Sequence, residues 1–160
     1  MQPPAELAAA LRDAVEVLER GAVPYMLIGG LAVAIHSAMP RATIDVDLAV
    51  RSDVPRDPLV GAFVTAGFQV KGTHAHTVNL VHRSGAPVQL AFDAAFDAPI
   101  ERAMHGVSHG RSFRLVTRAD LIALKERASR DPGQRKSKAL RDQADVEQLR
   151  EGAPEPDEGW

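Results

Sequence analysis

The chain has 160 residues, 45% of them hydrophobic, which is enough for one buried core with loose ends and too little for two independent ones. Its formal net charge of −2 excludes a protein that grips nucleic acid through bulk positive charge, although a local basic patch can still meet RNA. The absence of cysteine excludes a disulfide framework and a thiolate zinc site, and no apolar run is long enough to cross a bilayer.

After Pro3-Pro4, Leu7, Leu11, Val15 and Leu18 recur at helical spacing and predict an amphipathic helix over 5–20, closed by Gly21. Glu6, Arg12 and Asp13 interrupt the apolar residues there, and Met1 to Pro4 lacks a basic flank. That is not a signal-peptide pattern, so the cytoplasm is the expected compartment. Tyr25 to Ile28 reads as a short buried strand ending at Gly29-Gly30, and Leu31 to about Ser37 as a short helix that Pro40 stops.

The next segment, Arg41 to Val50, is predicted as a strand. In it Arg41, Thr43, Asp45 and Asp47 alternate with Ile44, Val46 and Leu48, so the polar residues share one face and the apolar ones are expected in the core. Two carboxylates about 6–7 Å apart on one face repel each other unless a cation joins them. A hard divalent ion satisfies that need, with one or two carboxylates for ligands and water or phosphate oxygens in its remaining positions.

Further on, Arg56 to Ala66 predicts a helix closed by Gly67, and Val78 to His82 with Val88 to Ala91 predicts a hairpin around Ser84-Gly85. Arg111 to Val116 reads as a last strand, and Thr117 with Asp120 as a capping pair opening a helix to Arg130. Asp131-Pro132-Gly133 breaks it, and a final helix follows over 137–150 with Leu140, Ala144, Val146 and Leu149 apolar. The residues after it are acidic, proline-containing and expected to be disordered. This order predicts an α+β (α/β) fold with a small mixed sheet flanked by helices, in a single domain over 1–150 with a tail over 151–160.

A glycine pair where a strand meets a helix lets a phosphate approach the backbone, and the helix N-terminus supplies N–H groups for it. By itself such a pair is most often a tight turn, and an isolated Asp-x-Asp is most often a solvated face. Together, one short helix apart, they place a polyphosphate and a cation side by side. Leu27-Ile28-Gly29-Gly30-Leu31-Ala32 leading to Arg41-x-Thr43-x-Asp45-x-Asp47 resembles the nucleotidyltransferase superfamily with the polymerase-beta-like fold. Within it the chain looks most like the AbiEii-type toxin nucleotidyltransferases of bacterial toxin–antitoxin systems and their small relatives. Asp120-Leu121-Ile122-Ala123-Leu124-Lys125 and Arg141-Asp142-Gln143-Ala144-Asp145-Val146 resemble the two later helices of that family.

The resemblance implies Mg2+- or Mn2+-dependent transfer of NMP from an NTP to an RNA (tRNA) or protein hydroxyl, in a toxin–antitoxin or phage-defence pair. Asp45 and Asp47 would hold the metal, Gly29 and Gly30 would take the triphosphate, and Arg41 and Thr43 would position phosphate or support the carboxylates. Lys125 would neutralise the departing pyrophosphate; read without the resemblance, it is as well explained as a solvated helix lysine. A cognate antitoxin and a homodimer are the partners expected beside the NTP and the acceptor.

One position departs from that pattern. The family's third carboxylate, a metal ligand that helps to deprotonate the acceptor, is expected at Gln89, and an amide cannot act as a base. Asp93 shares its strand parity but lies four residues on, about 13 Å in an extended chain, and Asp97 is more distant. The substitution leaves a second reading open, a catalytically weak fold that binds NTP or a partner. A third treats the acidic strand as the solvated face of an interaction domain. His74, His76 and His82 read as ordinary polar strand histidines rather than zinc ligands. Arg127, Arg130, Arg135, Lys136, Lys138 and Arg141 read as a solvated basic face that could steer an RNA.

Overall fold

The helical stripe Leu7, Leu11, Val15 and Leu18 forms the buried face of α1 (Ala5–Arg20). The chain leaves that helix differently from the sequence expectation: Gly21 keeps φ −86° and Ala22 takes the left-handed turn at φ 51°. The computed structural model describes residues 4–37, 43–131 and 136–151. Pro40, Arg41, the Pro132-Gly133 break, Arg135 and the tail over 152–160 lie outside the described residues.

After α1 come β1 (Tyr25–Ile28), α2 (Gly29–His36), β2 (Val46–Val50), α3 (Arg56–Thr65), β3 (Gln69–Thr73), β4 (Thr77–Val81) and β5 (Pro87–Ala91). A 3-10 turn over Ala94–Phe96 leads into α4 (Asp97–Glu101), then β6 (Met104–Ser108), β7 (Arg111–Leu115), α5 (Arg118–Ser129) and α6 (Lys136–Glu151). The strands make one seven-stranded mixed sheet in the order β3-β4-β5-β2-β1-β7-β6. β1–β7 and β2–β5 pair parallel, and the remaining neighbours pair antiparallel. The mixed sheet flanked by helices agrees with the α+β expectation.

Strand parity divides the centre of this sheet. Val46, Leu48, Val88, Leu90, Val78 and Leu80 are in register across β2, β5 and β4 and are all buried. Each contributes about 1.5–3 kcal/mol by leaving water. The residues between them, Asp47, Gln89 and Asn79, are likewise in register and only half buried, so they face the other way.

Three sequence expectations need correction. The acidic strand begins at Val46, not Arg41, so Thr43, Ile44 and Asp45 precede it and the alternation stops there. Ile44 is therefore 74% exposed, where a continued strand would have buried it. In α6, Leu140 is 55% exposed and Ala144 is also exposed, because α6 buries the stripe of Asp142, Asp145, Val146 and Leu149 against its neighbours. The third concerns α2, which starts at Gly29 rather than Leu31, so the glycine pair is the first turn of the helix. The sequence reading also left out β3, β6 and α4.

Thr117 caps α5 as its spacing suggests, its Oγ1 accepting the Asp120 N–H at 3.1 Å. Asp120 does not complete a reciprocal box; its carboxylate receives Arg102 through two bonds of 2.8 Å. Arg118 donates to the His36 carbonyl at 2.9 Å, and the buried His36 ring meets the Val116 carbonyl at 2.7 Å. These contacts tie the end of α2 to the start of α5. No helix among the described residues is long and apolar enough to cross a membrane.

Candidate active-site cleft

The end of β1, the first turn of α2, the polar side of β2 and β5, and the facing surfaces of α5 and α6 enclose a cleft of about 590 Å3. Asp47 lines it because its strand neighbours need the core. With Val46 and Leu48 committed to burial, the intervening side chain must project to the opposite face.

Gly29 explains how close the carboxylate comes to the helix start. Its φ is +75°, and a β-carbon placed there would sit 2.8 Å from the Asp47 Cβ and 2.9 Å from its Cγ. Glycine at 29 thus makes room for Asp47 and permits the left-handed backbone at the same time. Ile28 at the N-cap has no side-chain cap to offer the first-turn N–H groups, which are suited to an anion. Gly30 is buried and does not line the cleft.

The other sequence-predicted residues divide. Asp93 and Lys125 line the cleft; Asp45 and Thr43, both half buried, do not. Thr43 Oγ1 donates to the Asp45 carbonyl oxygen at 3.4 Å, a local contact in the segment before β2. Arg41 lies outside the described residues. Asp93 caps the 3-10 turn, its Oδ1 accepting the Ala95 N–H at 2.8 Å. Asp97 is turned to another task, receiving the Ser52 N–H at 2.8 Å and the Ser52 hydroxyl at 2.5 Å.

Lys125 is held firmly. Its Nζ lies 3.1 Å from Asp142 Oδ1 and 3.2 Å from Asp145 Oδ2, while Lys138 reaches Asp142 Oδ2 at 3.2 Å. The two carboxylates are 3% and 5% exposed, so this cluster is the packed wall between α5 and α6 as well as a lining of the cleft. It replaces the picture of Lys125 as a solvated lysine.

Gln89 is the register partner of Asp47 on the neighbouring parallel strand, and it lines the cleft. Its Nε2 donates to Asn79 Oδ1 at 3.1 Å, extending the polar rung to β4. Asn79 was missed from the sequence. The signal was there in the parity of Val78 and Leu80, which predicts Asn79 on the face that carries Gln89.

The donor set fits a nucleotide-borne cation better than a preassembled metal centre. Among the described residues no group of three His, Cys, Asp or Glu side chains could hold an ion. One or two carboxylates completed by phosphate oxygens and water are what Mg2+ ordinarily takes. The three histidines do not gather either. His82 is buried between Asp13 at 2.6 Å and Ser84 at 2.8 Å, outside the cleft, and His74 and His76 are exposed around the β3–β4 turn.

A second groove of about 580 Å3 lies between α1 and α3. Its charged residues are matched with each other, Arg20 with Glu16 at 2.6 Å and Arg83 with Asp13 at 3.2 Å, so it offers no comparable chemistry. Burial pushes the Asp13 carboxyl up, but hydrogen bonds from His82 and Arg12 and their nearby charge outweigh it and hold the group below its usual value.

Solved structures that share this architecture include nucleotidyltransferases. The lincomycin-bound lincosamide antibiotic adenylyltransferase LnuA superposes with a TM-score of 0.59 at 13% identity, over 92% of this chain and 98% of its own. ANT(2")-Ia in complex with adenylyl-2"-tobramycin gives 0.59 at 16% identity, over 86% of each chain. An antigenic nucleotidyltransferase-like protein from Paracoccidioides brasiliensis gives 0.62 at 20% identity, over 92% of this chain and 77% of its own. At such identities the likeness is one of fold, and this chain has the nucleotidyltransferase fold. No family model matches the chain, and no curated protein matches its sequence significantly.

Proposed function

We propose that the protein transfers NMP from an NTP to an oxygen of an RNA (tRNA) or protein acceptor. The observation that carries this is the contact between Asp47 and Gly29, which brings a carboxylate against the open first turn of a helix inside a cleft of nucleotide size. Asp47 would hold a divalent cation, Mg2+ or Mn2+, with Asp45 approaching from the preceding segment and Asp93 from the end of β5. When bound, that ion supplies positive charge against the triphosphate.

The chain's own groups do the rest. The first turn of α2 presents N–H groups to phosphate oxygens, and Gly29 keeps that approach clear. Lys125 sets positive charge in the facing wall, where its two buried carboxylates hold it in place rather than leaving it to solvent. Arg127 and Arg130 line the same wall and are exposed, as expected of cations that meet a polyanion arriving from solvent. Thr43 and Arg41, as residues of the segment before β2, would support the carboxylates.

The resemblance of the glycine and aspartate motifs to AbiEii-type proteins supports a role in a toxin–antitoxin or phage-defence pair in the cytoplasm, with an antitoxin or a second copy of the chain as partner. A second reading is favoured by Gln89: a nucleotide-binding module that transfers slowly. One experiment separates these readings. The protein is incubated with each α-labelled NTP, Mg2+ or Mn2+, and total tRNA or cell extract, beside an Asp45→Ala/Asp47→Ala control. Label transfer that is lost in the control supports the enzyme; nucleotide binding without transfer supports the module; transfer that survives loss of both aspartates refutes the site.

A further inference from the structure

The rung Asp47–Gln89–Asn79 crosses three adjacent strands on the open side of the sheet, and its chemistry changes sharply after the first residue. Asp47 is an anion; Gln89 and Asn79 are neutral amides joined to each other at 3.1 Å. That mutual bond uses one of the four side-chain N–H hydrogens and leaves three. On β3 the rung continues to Gly72, over which lies the His74 ring, its Nε2 3.5 Å from where a β-carbon of residue 72 would stand, with Asn79 Nδ2 at 3.9 Å. Beyond Asp47, then, the rung itself is rich in hydrogen-bond donors and carries no carboxylate, the next one in the cleft being Asp93 past the end of β5.

Such a floor suits an acceptor that is itself anionic. Resting on the reading of the cleft as an NTP site, we propose that the receiving oxygen belongs to a phosphate monoester, which Gln89 and Asn79 recognise through their amide N–H groups. A phosphate monoester has its second ionisation near a pKa of about 6, so it is largely dianionic at neutral pH. One of its oxygens attacks the α-phosphorus of the NTP. The new P–O bond forms as the bond from that phosphorus to the bridging oxygen breaks, and pyrophosphate leaves with the electron pair. The product is an NMP joined to the acceptor by a phosphoanhydride.

No proton has to leave the nucleophile in that step. A hydroxyl acceptor must lose one, and the carboxamide of Gln89 cannot take it. Asp93, the next carboxylate along this strand direction, stands beyond the end of β5 and accepts the Ala95 N–H at Oδ1. A carboxylate at 89 would also set a second negative charge next to Asp47 and repel a dianion, whereas the amide attracts it. Gln89 is on this account a specificity-determining residue.

The test follows the side-chain amide signals of Gln89 and Asn79 by 15N–1H NMR. Methyl phosphate, acetate or methanol is titrated into protein saturated with Mg2+ and an α,β-methylene NTP analogue. Methyl phosphate is expected to shift both pairs of signals. Its affinity should fall at least tenfold in Gln89→Glu and in Asn79→Asp, with analogue affinity changed less than threefold in Asn79→Asp. The second variant serves if the first does not fold. No shift, equal shifts by methanol or acetate, or full affinity in the acidic variants overturns the proposal. Failure of the analogue to bind counts instead against the NTP reading, because methyl phosphate can still be titrated into the analogue-free protein. Transfer assays then distinguish sources by pairing 5′-phosphorylated with 5′-hydroxyl RNA, and a phosphoserine peptide with its serine form. Lincomycin and tobramycin serve as further hydroxyl acceptors. Faster labelling of any hydroxyl form than of the phosphorylated forms would also refute it.

Discussion

Two neighbouring rungs of the same three strands behave oppositely. Leu48, Leu90 and Val78 lie in register and are at most 1% exposed. One residue earlier in β2 and β5, and one later in β4, Asp47, Gln89 and Asn79 form a polar rung whose first two members line the cleft and whose third is bonded to Gln89. The apolar rung contributes stability and can touch no substrate. The polar rung carries the proposed chemistry. Because side chains alternate along a strand, the two tasks can occupy consecutive residues without mixing, and burial of one rung aims the other.

That division can be broken from either side, and the largest effect is expected on the open rung. Asp47→Asn should lower NMP transfer by about 10³-fold, in line with losing a charge that organises the reacting phosphate, while the thermal midpoint stays close to wild type. A single-turnover assay with α-labelled NTP beside a calorimetric scan measures both. The reverse pattern is expected for Leu48→Ala, with about 2–5 kcal/mol of stability lost in urea unfolding and transfer per folded molecule retained. Equal loss of activity and stability in both variants would erase the distinction.

The wall opposite the rung should respond differently again. Lys125→Met takes away the cation that two buried carboxylates share, leaving Lys138 on Asp142, and should cost about 3–5 kcal/mol. Adding Asp142→Asn and Asp145→Asn should return most of that stability but not the transfer rate, if Lys125 also acts on phosphate. Gly29→Ala should cost about 1–2 kcal/mol through its left-handed backbone, and should reduce transfer at least tenfold by displacing the Asp47 carboxylate.

The smallest effect lies away from the cleft, at Asp13. Its carboxyl is held below the ordinary value of 3.8, so it stabilises the folded state above that pH and loses the contribution as pH falls through the folded-state value. Asp13→Asn should flatten stability against pH below about 4 while leaving transfer at neutral pH unaffected. Urea melts between pH 2.5 and 7 record the slope.

Local patterns in the chain were sufficient for α1, the β4–β5 hairpin and the Thr117 cap, because periodicity and turn residues act over a few positions. They were not sufficient for the acidic strand. Alternation from Arg41 to Leu48 looks continuous in sequence, but pairing with β1 begins only at Asp47 and with β5 only at Val46, so Ile44 has no core to enter. Leu140 misled for the same reason, since a stripe counts as core only where a partner covers it.

The sequence by itself determined which residues enter the proposed chemistry: a glycine pair after a short strand, two aspartates in alternation, and an amide where a carboxylate was expected. Tertiary structure decided which of them meet. It set Asp47 against Gly29, left Asp45 outside the lining of the cleft, locked Lys125 between Asp142 and Asp145, and paired Gln89 with Asn79. The physical reason is range. Side-chain alternation is a property of the local backbone, whereas the register between strands and the packing of α5 on α6 depend on residues far apart in the chain, whose positions only the assembled core defines.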